Sequence, residues 1–183
     1  MIMQRTDLCG EPLFDTLDDL YREVDRRVER LRVLHAARLR CRRGCSDCCE
    51  DGLTVFEVEA RHIQLHCADL LANGTPHPDG ACAFLDDAGA CRIYPNRPYV
   101  CQTQGLPLRW IGKPIDGGPV ELRDICPLNE QGPPVEGLPA EACWHIGPFE
   151  AALANLQATA DGGRLRRVPL RALFRFEGTV AHR

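Results

Sequence analysis

Long apolar runs are missing from this sequence. No run of about 18 apolar residues occurs anywhere in the chain, so no segment is expected to span a membrane. The first twenty residues, MIMQRTDLCGEPLFDTLDDL, likewise hold no continuous apolar stretch and carry charges throughout, so they do not read as a signal peptide. Lysine is nearly absent. Lys113 stands alone against twenty-one arginines, a bias that reads as compositional, and a net charge of -4 gives no support to general polyanion binding. Several chemical signatures are absent too: the HExxH order of a metalloprotease, a phosphate loop, a Ser-His-Asp order and convincing paired carboxylates. There is no internal repeat and no low-complexity tract.

What is present suits one modest domain. The 183 residues are 44% apolar, enough for a small core, and two full domains are not expected. The cytoplasm is the expected compartment, and a reducing compartment turns the reading of cysteine from disulfide framework toward metal binding or catalysis. There are eleven cysteines, an odd number that cannot all pair within one chain.

Along the chain, Thr16 with Asp19 three positions on resembles a capping box. Leu17, Tyr21, Val24, Val28, Leu31 and His35 follow at helical spacing, which predicts a long helix over 16–39. A second box, Thr54 with Glu57, predicts a helix with Phe56, Ala60, Ile63, Cys67 and Leu70 on one face, stopping at Asn73-Gly74. Residues 74–148 are rich in Gly and Pro, so regular structure there must be short. Within them, 106–112 and 119–124 are expected to pair as a hairpin across Gly117-Gly118. A third helical region starts at Pro139, is interrupted at Gly147-Pro148, and continues with Phe149, Ala152, Leu153 and Leu156 up to Gly162-Gly163. The expectation is an α-rich, irregular α+β fold, a single domain over 1–183. It divides into an N-terminal helix (1–40), a cysteine-cluster core (41–130), and a C-terminal helix with an Arg-rich tail (131–183), the helices packing around a metal centre.

The cysteines carry the chemistry. Zinc or iron takes several thiolates converging within about 2.3 Å of the ion, a demand that a local turn plus a distant return segment meets. Cys41-x3-Cys45-x2-Cys48-Cys49 offers four sulfurs within nine residues around Gly44, whose freedom permits a tight knuckle. Further sulfurs come from Cys82, Cys91, Cys101 and Cys126 in the Gly/Pro-rich half, where a metal can stand in for a missing apolar core. Consecutive side chains usually diverge, so Cys48 and Cys49 are expected to serve different metals, or one binds and the other packs. Eight thiolates suit two four-cysteine zinc sites, or one iron-sulfur cluster plus a second site, and spacing does not choose between them. The Cys126-Pro127 step and the x3/x2 spacing resemble ferredoxin-type runs in a different order, a tilt toward iron. Arg40, Arg42, Arg43, Arg92, Arg97 and Arg123 stand near these cysteines in sequence and can offset the negative charge of a metal-thiolate centre.

The runs CRRGCSDCC, CAFLDDAGACRIYPNRPYVCQ and ICPL, with Cys-x-Phe-Leu at Cys82 to Leu85, Cys-Arg-Ile-Tyr-Pro at Cys91 to Pro95, and Arg97-Pro98 before Cys101, resemble the YkgJ-like cysteine-cluster family. That family is also described as zinc- or iron-chelating domains. The resemblance covers roughly residues 41 to 128, about half of the chain. It implies metal chelation by Cys41, Cys45, Cys48, Cys49, Cys82, Cys91, Cys101 and Cys126. A similar cluster occurs in flagellin lysine methylases, where it accompanies an iron-sulfur centre and methyl transfer. No methyl-donor site is legible in the flanks here, so an enzyme reading rests on analogy alone.

Other candidates have simpler readings. Cys67 lies in an apolar stripe and is expected to pack; Cys9 is incidental; Cys143 is either a ligand or a packing residue beside Trp144. His62 and His66, spaced i and i+4 after Glu59, read as a solvated face, and His77 as a loop residue. The tail RLRRVPLRALFRF, with Phe174 and Phe176 among its arginines, reads as a half-buried segment with its charges in water, and nucleic acid is not an expected partner.

The leading functional expectation is a metal-binding protein holding an iron-sulfur cluster, for instance of the 4Fe-4S type, or Zn2+, in a structural or metal-handling role. The alternative is an iron-sulfur or iron-dependent enzyme performing redox or methyl-transfer chemistry on a protein or peptide. A third reading is an adaptor whose tail docks a protein partner.

Overall fold

A computed structural model describes residues 16–112 and 117–175. Cys9, Lys113 and Phe176 lie outside the described residues. The chain groups into two units, each made of two separated stretches: one comprises residues up to Cys41 together with Tyr99–Gly163, the other Arg42–Pro98 together with the chain from Arg164.

The first unit is built on periodic helices. Helix α1, Leu17–Leu34, starts where expected: the Thr16 side chain accepts the Asp19 N–H at 3.2 Å and caps the first turn. Its buried face is Leu20, Tyr21, Val24, Val28 and Leu31. It ends five residues earlier than the periodicity predicts. His35 and Arg38 leave the helical path because both are drawn into buried hydrogen bonds, His35 with the Ala142 carbonyl at 2.7 Å and Arg38 with the Asn129 carbonyl at 2.9 Å. Backbone acceptors deep in a unit outweigh one further helical turn.

Short helix α4, Tyr99–Thr103, and helix α5, Ile146–Asp161, pack against α1. The helical region expected from Pro139 is interrupted, but earlier than expected: a 3-10 turn over Ala140–Ala142 gives way to a strand at Trp144–His145, and Gly147-Pro148 lie inside α5. Pro148 is the third residue of the helix, a first-turn position whose N–H would have no intrahelical partner, so proline is accommodated there. Gly162, with φ of 69°, closes the helix in the left-handed conformation. The predicted hairpin is present as β2, Leu108–Gly112, against β3, Val120–Asp124. A strand not foreseen, β4 at Trp144–His145, pairs in parallel with β2. Trp144 forms the centre of this unit: it is 1% exposed, its ring lies 4.6 Å from that of Phe149, and its indole N–H donates to the Tyr99 hydroxyl at 2.9 Å.

The second unit has less regular structure. Strand β1, Thr54–Phe56, pairs antiparallel with β5, Arg167–Pro169. Thr54 is therefore a strand residue and not a cap. Helix α2, Glu57–His66, begins after Phe56, whose N–H is accepted by Glu59 at 3.3 Å. The single helix expected up to Asn73 is two, because Cys67 breaks the path and α3 runs separately over Ala68–Asn73. Val55, Ala60, Ile63, Phe84, Ile93, Leu170 and Leu173 form the core, and Cys67, Cys82 and Cys91 pack against it. The tail contributes Leu170 and Leu173 to that core and leaves Arg164, Arg166, Arg167 and Arg175 exposed, as a half-buried segment should. Arg171 departs from that expectation: its side chain is largely covered and held in an ion pair with Asp51. Taken together the architecture is the mixed α+β one expected, with short sheets. None of the described helices is long and apolar enough to cross a membrane.

Candidate metal centre

Three cysteine-bearing turns meet in the second unit. The first is closed by the Cys45 N–H donating to the Arg42 carbonyl at 3.0 Å, with Gly44 at a φ of 84° that side-chain-bearing residues rarely adopt. The second is closed by Cys49 N–H to the Ser46 carbonyl at 2.8 Å. The third is the tight loop 82–92, in which Leu85 and Cys91 form a β-bridge and the Arg92 N–H reaches the Phe84 carbonyl at 2.8 Å. The Cys82 N–H donates to the Cys49 carbonyl at 2.9 Å, tying the third turn to the second. A Cβ on Gly89 would stand 3.4 Å from the Gly44 carbonyl oxygen, so the first turn also lies against the third. Cys45, Cys48, Cys49, Cys82 and Cys91 are thus carried on one linked framework.

Within it, the adjacent thiols of Cys48 and Cys49 do not diverge. The turn brings them within hydrogen-bonding reach, and that bond, with the nearby Arg97 guanidinium assisting, holds the Cys48 thiol down to about 6. Burial acts the other way on Cys82 and Cys91, pushing both thiols up; the neighbouring thiols of Cys82 and Cys67 add to the effect at Cys91. A cation bound there would displace those protons, because metal ligation requires the thiolate.

The first unit carries the other predicted ligands. Cys41 ends its N-terminal stretch, Cys101 lies in α4, and Cys126 precedes the 3-10 turn Pro127–Asn129. The Cys41 sulfur rests against Gly105 and accepts an N–H from Asn129 at 3.5 Å. Cys143 is buried in the core of this unit, where burial raises its thiol and Arg123 points at its sulfur from 3.9 Å. Cys67 sits at the joint of α2 and α3, accepting from the Asn96 amide at 3.6 Å, and is half-buried against the core as expected of a packing residue.

The arginines divide by task. Arg97 lies over the Tyr94 ring at 3.6 Å and donates to the Tyr94 carbonyl at 2.9 Å, its charge favouring the Cys48 thiolate from nearby. Arg92 donates to the carbonyls of Thr75 and Ala83 at 2.8 Å. Arg123 serves Cys143 and the Val135 and Leu138 carbonyls instead of a predicted ligand. Composition gave no sign of one further arginine clamp. Arg171 donates to Asp51 at 2.8 Å and to the carbonyls of His77, Pro78 and Ala81, so it pins the segment leading into Cys82. Asp51, which also accepts from the Gly52 and Gly80 N–H groups, is held down to about 2 by Arg171 first and by those backbone donors next. Sequence reasoning missed this pair; the Leu170-x2-Leu173 spacing in the tail was the one local sign that the segment docks.

In kind, the donors suit zinc or iron. They are soft thiols, and none of the ten described cysteines is in a disulfide. Among the described residues, no three or more His, Cys, Asp or Glu side chains are grouped closely enough to hold an ion, and His62 and His66, with rings 4.3 Å apart, do not extend to such a group. The framework therefore gathers the cysteine-bearing backbone of the second unit and brings the thiols of Cys48 and Cys49 into contact, without closing three donors on one point.

Thiol-bearing turns with no disulfide among the described cysteines are compatible in kind with a cysteine-ligated metal domain. Comparison gives a partial likeness: residues 40–113, less than half of the chain, match the model of the CxxCxxCC family, described as a "putative zinc- or iron-chelating domain". This is the cysteine-cluster family that the motifs resemble. The match takes in seven of the eight predicted ligands, Cys41 through Cys101, and ends before Cys126. The family's name spells two residues in its first gap where this chain has three, Arg42, Arg43 and Gly44. No curated protein and no solved structure matches the chain.

Proposed function

We propose that this protein binds zinc or iron through Cys41, Cys45, Cys48, Cys49, Cys82, Cys91, Cys101 and Cys126, and that the metal holds the turn-rich second unit in shape. The observation that carries this reading is the hydrogen-bonded junction of the three turns bearing Cys45, Cys48, Cys49, Cys82 and Cys91. The third turn is anchored in the core through Phe84, whereas Cys45 and Cys48 are not among the residues packed on that core, and a cation shared by thiolates supplies cohesion there. The turns set the backbone, and rotation of the cysteine side chains about χ1 closes them on an ion. An iron-sulfur cluster and zinc both fit an all-thiol donor set, and the role is structural or one of metal handling.

Elemental analysis with an anaerobic absorption spectrum on untagged protein separates the two. Brown protein with sulfide-to-iron absorption identifies a cluster, and colourless protein with stoichiometric zinc identifies a zinc site. Protein isolated with neither metal, and taking up neither, would end the proposal. Cys82→Ser is expected to lower both metal per chain and the thermal midpoint; unchanged values would remove Cys82 from the ligand set.

A further inference from the structure

Asn129 occupies an unusual position for an amide. It is 0% exposed, at the end of the 3-10 turn Pro127–Asn129 that follows Cys126, and every polar part of it is engaged. Its side-chain oxygen accepts the Arg40 N–H at 2.7 Å, the residue immediately before Cys41. Its side-chain nitrogen donates one N–H to the Gly105 carbonyl at 2.7 Å and the other toward the Cys41 sulfur at 3.5 Å. Its own N–H donates to the Cys126 carbonyl at 2.7 Å, and its carbonyl accepts from Arg38 at 2.9 Å. One buried residue thus ties together the backbone beside Cys41 and the turn after Cys126.

Gly105 completes the arrangement. A Cβ there would stand 2.5 Å from the Cys41 sulfur and 3.2 Å from the Asn129 amide nitrogen, and its φ of 88° is one that residues with side chains rarely adopt. The sulfur occupies the space a side chain would need. Buried amides are costly unless satisfied, so a fully satisfied one holds its geometry firmly.

We propose that Asn129 is the positioning residue of the Cys41 thiolate: its buried amide aims an N–H at the sulfur and sets the direction in which that sulfur faces its metal. The inference rests on Cys41 being a ligand, as proposed above. An N–H donated to a ligating sulfur withdraws electron density from it, and hydrogen bonds to sulfurs are one of the levers that tune iron-sulfur and zinc-thiolate centres. The amide is suited to this because it donates without carrying a charge or competing for the metal as a ligand.

Two measurements test it. The first is zinc affinity, by competition with a chromogenic chelator, for Asn129→Ala, Cys41→Ser and the double variant. Asn129→Ala is expected to lose about 10–100-fold in affinity, as outer-sphere partners of metal ligands do. In the Cys41→Ser background the same change should cost nothing further, because its effect passes through that sulfur; an equal loss in both backgrounds would show a purely structural role and overturn the inference. Unchanged affinity in Cys41→Ser would overturn the ligand assignment itself, whereas loss in Cys41→Ser with none in Asn129→Ala overturns only the role of Asn129. The second measurement needs no variant. In the wild-type chain loaded with NMR-active cadmium, scalar coupling is expected from the ion to the Cys41 Cβ protons and, across the hydrogen bond, to an Asn129 side-chain amide proton. Coupling to Cys41 without coupling to Asn129 defeats the inference even if Asn129→Ala fails to fold, and absent coupling to Cys41 defeats the reading on which it rests.

Discussion

The two units of this chain are ordered by different forces. In the first, α1 and α5 bring apolar faces together around Trp144, Phe149 and Tyr99, and each large side chain buried there contributes about 1.5–3 kcal/mol. In the second, three turns are held by backbone hydrogen bonds, by the Asp51–Arg171 pair and by arginines donating to carbonyls, with a smaller core of seven buried residues beneath them. An apolar core is cohesive by itself. A set of turns needs additional links, and thiols gathered in those turns are the place where a metal can provide them.

The comparison can be broken most severely by withdrawing the metal. Structural zinc contributes on the order of 10–16 kcal/mol of apparent binding free energy in small metal-dependent domains, more than any single side chain does. Chelation is therefore expected to raise amide exchange sharply across 42–92, while α1 and α5 stay protected, as read by hydrogen-exchange mass spectrometry. Equal deprotection of both units would erase the distinction. The converse perturbation is Trp144→Ala, which removes the centre of the first unit and its hydrogen bond to Tyr99; it is expected to cost about 3–5 kcal/mol in urea unfolding.

A smaller change probes the polar clamps. Arg171→Ala should free the segment carrying His77, Pro78 and Ala81 and speed exchange at the Gly80 and Cys82 amides, with α1 unaffected. The same pair has a pH signature. The folded Asp51 carboxyl titrates near 2, below the ordinary value of about 3.9, so its stabilising contribution is complete above roughly pH 4 and disappears as the pH falls toward 2. An NMR titration should find that low midpoint in the wild type and a return toward the ordinary range in Arg171→Ala. The smallest effect expected is that of Thr16→Ala, which removes the α1 cap at a cost of about 1 kcal/mol and sharpens the contrast only if metal content stays unchanged.

Legibility in the sequence follows the same division. The start of α1, the β2–β3 hairpin and most of the α5 face were readable because each is encoded by neighbours: a cap, a glycine turn, a 3.6-residue period. Thr54 was misread because its partner in the sheet, Pro169, lies far along the chain, and that pairing outweighs a local capping pattern. The cysteine motifs were legible as a donor set through order and spacing. Local spacing did not reveal that the Cys48 and Cys49 thiols face one another, that Arg171 braces the approach to Cys82, or that Asn129 reaches Cys41.

By itself, then, the amino-acid order determined the helix beginnings, the hairpin and the chemical kind of the candidate site, since propensity, capping and thiol chemistry act within a few residues or reside in the side chain itself. Tertiary structure alone decided where α1 stops, which arginine supports which turn, and which sulfur receives a buried amide. Those outcomes depend on acceptors and donors contributed from distant parts of the chain, whose buried hydrogen bonds form only when the fold brings them together.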